Sequence, residues 1–433
     1  MSCWSPWLVR VQNECPRPER AFMTVSSAPA PQPQSSAHSA KAGGLTRSGA
    51  ARIDAIDVLR GLVIVVMVLD HVRDFFHAQA FTADPMALDS GNPALFLTRW
   101  VTHLCAPTFV FLAGASIWLQ KANGKSPGDL SRFLLTRGLW LIVLEFTLIG
   151  VGFNFGWWIM AQVIWAIGFG MIVLAGLHRL PRNLVLGVGV AIIAGHTALN
   201  LIPPSAFGTL EPLWRMLAVR GPMPTEAGVL VVLYPAIQWA AIMLLGYGLA
   251  GFLTNMDGLR RGRVMLFAAG FLGLFAIGRG LNLPGFDTVP WTLQESPLWT
   301  VFSILSVNKY PPSPAYVLLM VGLALVLLLA FDRLRGPVAS LLLTFGRTPL
   351  FTYLLHIWIA HGLAMAVGMA VGVPPAAFVN LITDPSRLIE GGWGFGLAGV
   401  YVAWAAVLAI LYPLSRWLEG VKRRRRDWWL GYL

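Results

Sequence analysis

Apolar residues in this chain gather into long unbroken runs, and the polar residues between them are short basic clusters or longer Pro- and Gly-containing stretches. A run of roughly 17 to 25 apolar residues is long enough to cross a hydrocarbon core as an α-helix. The pattern predicts about ten such spans, over residues 58–76, 95–119, 133–153, 158–177, 184–202, 228–253, 263–280, 315–331, 347–371 and 396–417. The fold expected is therefore all-α, a polytopic membrane helical bundle. Two shorter pieces stand between the spans. Trp299 to Val307 reads as a short interfacial helix or a re-entrant piece, and Val338 to Thr344 as a short amphipathic approach to the ninth span. No internal repeat is visible, which weighs against a transporter built from inverted halves.

Composition agrees with this class. Of 433 residues, 56% are hydrophobic and only 12% charged, far from the averages of a soluble domain. The formal net charge of +12 raises the question of nucleic acid, but the cations sit in clusters between spans. Lys121, Lys125, Arg132 and Arg137, then Arg179 and Arg182, then Arg260, Arg261 and Arg263, then Arg333 and Arg335, and the "KRRRR" after Val421 all fall on one side of the predicted bundle. Topology explains that bias, with the basic side and both termini in the cytoplasm, and nucleic acid is excluded as a partner. Residues 1–50, with "SSAPAPQPQSSAHSAKAGG", are too poor in apolar residues to build a core and read as a disordered cytoplasmic tail. Residues 51–420 form the membrane domain, and 421–433 a basic cytoplasmic C-terminal tail. Cys3, Cys15 and Cys105 imply neither a disulfide framework nor a metal site.

The first span, "DVLRGLVIVVMVLDHVRDFFH", carries a load that a membrane helix normally avoids. Arg60 and His71 are eleven residues apart, close to three helical turns, so they share one face about 16 Å apart along the axis. Asp57 and Asp74 fall on nearly the same stripe. Ionisable groups in a span face the protein interior or water, and are functional candidates. The bland alternative has Arg60 snorkelling to the headgroups and the span ending before Asp70. In the second span, Arg99 and His103 are four apart on one face, and His103 is equally a structural or a catalytic candidate. Glu145 is expected to be a structural partner of an arginine. Gln162 opens the fourth span; Tyr353, His356 and His361 mark the ninth, with His356 expected to pack or line a pocket. A His at depth can take a proton from an amine or hydroxyl, and a guanidinium suits phosphate. Together they fit a phosphate-bearing donor entering from the cytoplasm and an acceptor arriving from the other side. No Walker A, GxSxG or HExxH pattern competes.

The blocks "RIDAIDVLRGLVIVVMVLDHVRDFF", "FLTRWVTHLCAPTFVFLAGASIWL", "SRFLLTRGLWLIVLEFTL", "QVIWAIGFGMIVLAGLHRLP", "VNKYPPSPAYVLLM", "FGRTPLFTYLLHIWIAH" and "RRRRDWWLGYL" resemble bacterial proteins of the heparan-α-glucosaminide N-acetyltransferase catalytic-domain type, within the transmembrane acyltransferase superfamily. The resemblance runs from about Arg52 to the end. It implies an integral inner-membrane acyltransferase that uses acetyl-CoA as acyl donor, with residues 51–420 as its transmembrane domain. The superfamily carries Arg, ten residues, then His on its first span, as Arg60 and His71 do here. It thereby implies His71 as general base or transient acyl carrier and Arg60 in the donor pathway. Asp70 or Asp74 would orient His71, His103 would be a second pocket base or hydrogen-bond partner, and Arg99 a second clamp beside Arg60 for phosphate or oxyanion. Arg132 and Arg137 are expected to set topology rather than to guide CoA. One departure matters: the lysosomal relative's catalytic His shortly before its second span has no counterpart near "SGNPALFLTR". Heparan sulfate is therefore not carried over, and the acceptor is left as an amine or hydroxyl of a sugar, envelope glycan or small molecule on the extracytoplasmic side. A proton-coupled transporter or flippase using the same cluster, and a non-catalytic scaffold, are the rival classes. Membrane lipid is the surrounding partner, and the oligomeric state is open.

Overall fold

A computed structural model describes residues 53–432 apart from 90, 157, 158, 226, 227, 256, 257 and 426. The expectation for residues 1–50 lies outside the described residues. The helices run in chain order as α1 (Asp54–Phe76), α2 (Pro93–Thr102), α3 (Cys105–Ala122), α4 (Pro127–Leu144), α5 (Gly150–Asn154), α6 (Val163–Leu177), α7 (Arg182–Ala194), α8 (His196–Asn200), α9 (Glu211–Ala218), α10 (Ala236–Leu253), α11 (Arg261–Gly280), α12 (Pro297–Leu305), α13 (Pro314–Phe331), α14 (Pro337–Arg347), α15 (Pro349–Ala370), α16 (Ser386–Glu390) and α17 (Leu397–Arg424). The all-α polytopic bundle is as expected. Among the described residues, seven stretches are long and apolar enough to cross a membrane, namely Pro93–Ala122, Pro127–Asn154, α10, α11, α13, α15 and α17. α1 is of similar length, with 23 residues, but more heavily charged. α6 and α7 are apolar but short, at 15 and 13 residues.

Two expected spans begin differently from the pattern. Residues 159–161 and 228–232 are not helical: β1 (Ile159–Ala161) lies parallel to β3 (Gly228–Val232), which pairs antiparallel with β2 (Gly221–Thr225). Short apolar runs are compatible with strand or helix, and here the strands run up to the turns that start α6 and α10. Pro222 and Pro224 fall on β2, an edge strand, where missing N–H groups are tolerated. Of the first short piece, Trp299–Leu305 lies in α12 and Ser306 and Val307 follow it, and Val338–Thr344 lies inside α14.

The second span is broken between α2 and α3. Pro107 has no N–H to give to the His103 carbonyl one turn earlier, and Tyr316 Oη donates to that oxygen instead at 2.8 Å. The third span carries a π-helical turn, Glu145–Ile149, between α4 and α5. Such a turn rotates the helix beyond it, here α5, and is frequent near functional sites.

Close helix approach comes from reciprocal glycines. A Cβ on Gly114 of α3 would lie 2.0 Å from the Met243 carbonyl oxygen of α10, and one on Gly246 of α10 would lie 2.0 Å from the Phe111 oxygen of α3. The same exchange joins α1 to α14, where a Cβ on Gly61 would meet the Leu342 oxygen at 1.9 Å and one on Gly346 the Asp57 oxygen at 1.8 Å. Small residues let backbones approach where no hydrophobic driving force separates helix from lipid. Leu266, Leu274 and Ile277 of α11 and Val402 and Ile410 of α17 are exposed on the outside, as lipid-facing positions are. At one end of the bundle Arg347 pairs with Asp54 at 3.3 Å and with Glu419 at 2.8 Å, gathering the start of α1 and the end of α17. At the other, Trp393 Nε1 donates to the Phe75 carbonyl at 2.8 Å.

Gly114→Ala and Gly246→Ala are expected to destabilise the bundle by about 1–3 kcal/mol each, because backbone rather than a flexible side chain must move. Gly176→Ala, which meets nothing within 4 Å, is expected to be neutral or slightly stabilising. Thermal unfolding of the purified variants in detergent checks both; equal Tm values for all three would contradict the crossing.

Candidate active site

α1 runs through the middle of the bundle against α3, α13, α14, α15 and α17, so its polar stripe faces protein rather than lipid. At its Arg347 end lies a cleft of about 460 Å³. Arg60, Arg137, Arg347 and Lys422 bring four cations to it, and Ile64, Phe109, Ile164, Ile167 and Met171 give it an apolar wall. Arg60 is fixed rather than loose: it donates to Asp57 at 2.8 Å and to Ser116 Oγ at 3.0 Å. The snorkelling alternative does not describe this side chain. The expected C-terminal tail is structured in part. α17 continues to Arg424, Leu430 and Gly431 line the cleft, Arg137 donates to the Gly431 carbonyl, and Thr136 meets Tyr432 Oη at 2.7 Å.

Deeper along α1 is a chamber of about 30 Å³, lined among others by Asp70, His71, Thr102, Gln162, Tyr234, Lys309 and Tyr353. Phe109, Val163 and Tyr353 line both the cleft and the chamber, so they form the partition between them. The Arg60 and His71 faces of one helix thus open to two adjoining spaces.

His71 is held by another histidine. Its Nδ1 lies 2.6 Å from His356 Nε2, with the two rings end to end, 16° from parallel and 4.9 Å between centres, and the Phe153 ring packs nearly perpendicular to it at 5.0 Å. His356 Nδ1 faces the Thr352 carbonyl at 3.3 Å, which demands a proton on that nitrogen. For two neutral rings this fixes the rest: His356 Nε2 accepts, His71 Nδ1 donates, and His71 Nε2 keeps a lone pair.

Neither aspartate makes the bond expected of it. Asp70 accepts from Arg99, from Thr102 Oγ1 at 3.0 Å and from Arg73 at 3.4 Å, while Asp74 takes Arg73 at 2.5 Å. A buried carboxylate is satisfied by two guanidiniums before an imidazole can compete. Arg99 accordingly neutralises Asp70, far along α1 from the Arg60 cleft, and does not line that cleft. His103 does not line the chamber either: its Nδ1 contacts the Arg99 carbonyl at 3.0 Å and its ring packs on Tyr316. Among the described residues no arginine pairs with Glu145; its Oε2 accepts the Trp165 N–H at 2.8 Å in the first turn of α6, where a carboxylate complements exposed amide groups. His361 faces the carbonyls of Gly152 and Phe378, both at 2.9 Å, and serves packing.

Lys309 is a chamber residue that sequence reasoning passed over. It comes from the segment between α12 and α13, yet is 5% exposed, and its ammonium lies 5.0 Å and 5.9 Å from the Tyr310 and Tyr234 ring centres. The signal was present: it is a lone lysine in a long connecting segment otherwise nearly free of cations. Burial alone would raise the Tyr310 phenol, but the Lys309 and Arg99 charges outweigh it and hold it below its ordinary value. Among the described residues no group of His, Cys, Asp and Glu side chains is arranged to hold a metal ion.

A family model described as "Heparan-alpha-glucosaminide N-acetyltransferase, catalytic" matches residues 52–280, just over half of the chain. That range is shorter than the resemblance suggested. It contains Arg60, His71 and Gln162 but stops before Lys309, Tyr353 and His356. No curated protein matches the chain.

Arg99→Met is expected to destabilise the fold by about 3 kcal/mol, since it strips a buried carboxylate of its main partner. Asp70→Asn in the same chain is expected to recover most of that loss. A double-mutant cycle on Tm in detergent measures the coupling, and additive losses would show that the pair is not linked.

Proposed function

Because this chain belongs to the heparan-α-glucosaminide N-acetyltransferase catalytic family, and is on that ground a membrane acetyltransferase, we propose that it moves acetyl from cytoplasmic acetyl-CoA to an amine or hydroxyl of a sugar, envelope glycan or small molecule on the other side of the membrane. One observation carries this reading: Arg60 and His71 occupy one helix face and open to a cation-rimmed cleft and an adjoining polar chamber that share a wall. Four cations at the cleft suit the phosphates of a nucleotide-bearing donor. The three turns of α1 between Arg60 and His71 are a distance that an extended pantetheine arm can span, across an apolar wall suited to that arm. Basic clusters at the Arg60 end support a cytoplasmic orientation for it.

His71 Nε2 takes the proton of the acceptor nucleophile, and His356 keeps that nitrogen free by accepting from Nδ1. As His71 becomes charged, its Nδ1–H still points at the His356 lone pair, so His356 does the positioning that a carboxylate does in a Ser-His-Asp triad. Arg60, tied to Asp57 and Ser116, is pre-placed for phosphate.

Full-length protein purified in detergent is expected to transfer or hydrolyse labelled acetyl-CoA. His71→Ala is expected to lower the rate at least 100-fold while the protein stays monodisperse. Arg60→Gln is expected to raise KM for acetyl-CoA about tenfold, the scale of one charge-assisted contact, and to change KM for acetyl-pantetheine, which lacks the nucleotide, much less. If acetyl-CoA neither binds nor turns over, and His71→Ala instead impairs uptake or efflux in vesicles, the transporter reading replaces this one.

His356→Ala is expected to lower kcat about 10- to 100-fold with little change in KM, the mark of lost orientation rather than lost binding. His356→Gln, which retains an acceptor near the same point, is expected to recover part of it. Equal losses in both variants would point to packing alone.

A further inference from the structure

The chamber contains polar groups that neither the fold nor the base role of His71 explains. Tyr353 Oη and Gln162 Nε2 have no hydrogen-bond partner among the described residues, although their side chains are only 3% and 7% exposed. Leaving a buried donor unsatisfied costs about 1–3 kcal/mol each. Both line the same small space as His71 and Lys309.

Three separate devices bring these side chains to one place. Gln162 is the N-cap residue of α6, immediately after β1. Tyr353 lies on α15 one turn before His356, with the two rings 5.3 Å apart. Lys309 comes from a connecting segment that is braced on the side away from the chamber. The neighbouring Asn308 N–H donates to Asp287 at 3.2 Å, Asp287 pairs with Arg279 at 3.6 Å, and Arg279 donates to the Val289 and Ser306 carbonyls at 2.6 and 2.7 Å. Among the described residues Lys309 forms no ion pair. Charge around the chamber is unbalanced in one direction. Asp70 and Asp74 are matched by Arg73 and Arg99 in one ion-pair cluster, so Lys309 adds one formal positive charge to the chamber that Asp70 and His71 also line. A space of this kind stabilises a negative charge that develops inside it.

We propose that Lys309, Tyr353 and Gln162 form the oxyanion site of the acetyl transfer, donating to the acyl carbonyl oxygen while His71 acts as base; this rests on the acetyl-CoA reading above. A lone pair on the acceptor nitrogen or oxygen bonds to the carbonyl carbon as the N–H or O–H proton passes to His71 Nε2. The C=O π pair moves onto oxygen, where the three donors meet the new charge. That pair then re-forms the carbonyl, the C–S bond breaks, and the departing thiolate takes the proton from His71. Acetyl has moved, CoA leaves as thiol, and His71 returns to neutral.

The test uses the full-length chain in detergent, with acetyl-CoA as donor. Lys309→Met and Tyr353→Phe are each expected to lower kcat about 100- to 1000-fold, the usual loss for one oxyanion donor, with Kd for CoA within threefold of the native protein. Gln162→Leu is expected to act in the same direction. With carbonyl-labelled acetyl-CoA bound, the native protein is expected to shift the thioester C=O stretch to lower frequency, and Tyr353→Phe to lose part of that shift. Tyr353→Phe removes a single oxygen, so it keeps the test decisive if Lys309→Met does not fold. Native turnover with kcat unchanged within threefold in both Lys309→Met and Tyr353→Phe overturns the oxyanion site and leaves the acetyltransferase reading standing. A native chain that neither binds nor turns over acetyl-CoA overturns both.

Discussion

A carboxylate buried in an apolar bundle is the constraint around which the His71 half of this molecule is arranged. Asp70 sits on α1 where a membrane helix would be bare hydrocarbon, and it is tolerable there only because Arg99 and Thr102 of α2 and Arg73 of its own helix converge on it. Those bonds do more than neutralise. They tie α2 to α1 next to the break before α3, and the break exists because Pro107 cannot bond the His103 carbonyl. The carbonyl so freed is taken by Tyr316 of α13. Three helices are thus pinned by polar contacts that the lipid-facing side chains cannot supply.

With Asp70 committed to guanidiniums, His71 is left to a partner of its own kind. A carboxylate beside His71 would hold the imidazolium by direct charge attraction; His356 accepts the same hydrogen bond without adding a negative charge. In the proposed reaction this distinction matters. A carboxylate bonded to the base would cancel the surplus positive charge that an oxyanion needs, whereas a neutral histidine fixes the tautomer and leaves the field of the chamber unchanged.

Much of this is legible in the chain itself. The spans, the basic end and the Arg60 and His71 stripe come from apolar run length, charge bias and helical period, all local properties of the sequence. The rest depends on contacts between segments far apart. Asp70 was expected beside His71 because the two are neighbours in sequence, but its partner Arg99 arrives from another helix. For His356 the sequence supports packing or pocket lining but not a bond to His71, because nothing local to α15 shows that it faces α1. Glu145 was assigned an arginine on general grounds, while its partner is the backbone of Trp165, a group that sequence does not distinguish. The strands at 159–161 and 228–232 were absorbed into spans because short apolar runs carry no period of their own.

The distribution of groups between helices and connecting segments obeys a physical logic. Pairs that must persist, Asp70 with Arg99 and Arg73 with Asp74, lie on helices or at their ends, where rigid backbone keeps long side chains in register at little further entropic cost. Lys309, which forms no ion pair among the described residues, comes instead from a connecting segment, braced by Arg279 and Asp287 outside the chamber. A lysine placed on α1 at that depth would be paired with Asp70 by simple proximity and its charge spent. Delivered from outside on a braced segment, it enters a chamber whose carboxylate is already occupied, and its charge is left for whatever forms beside His71.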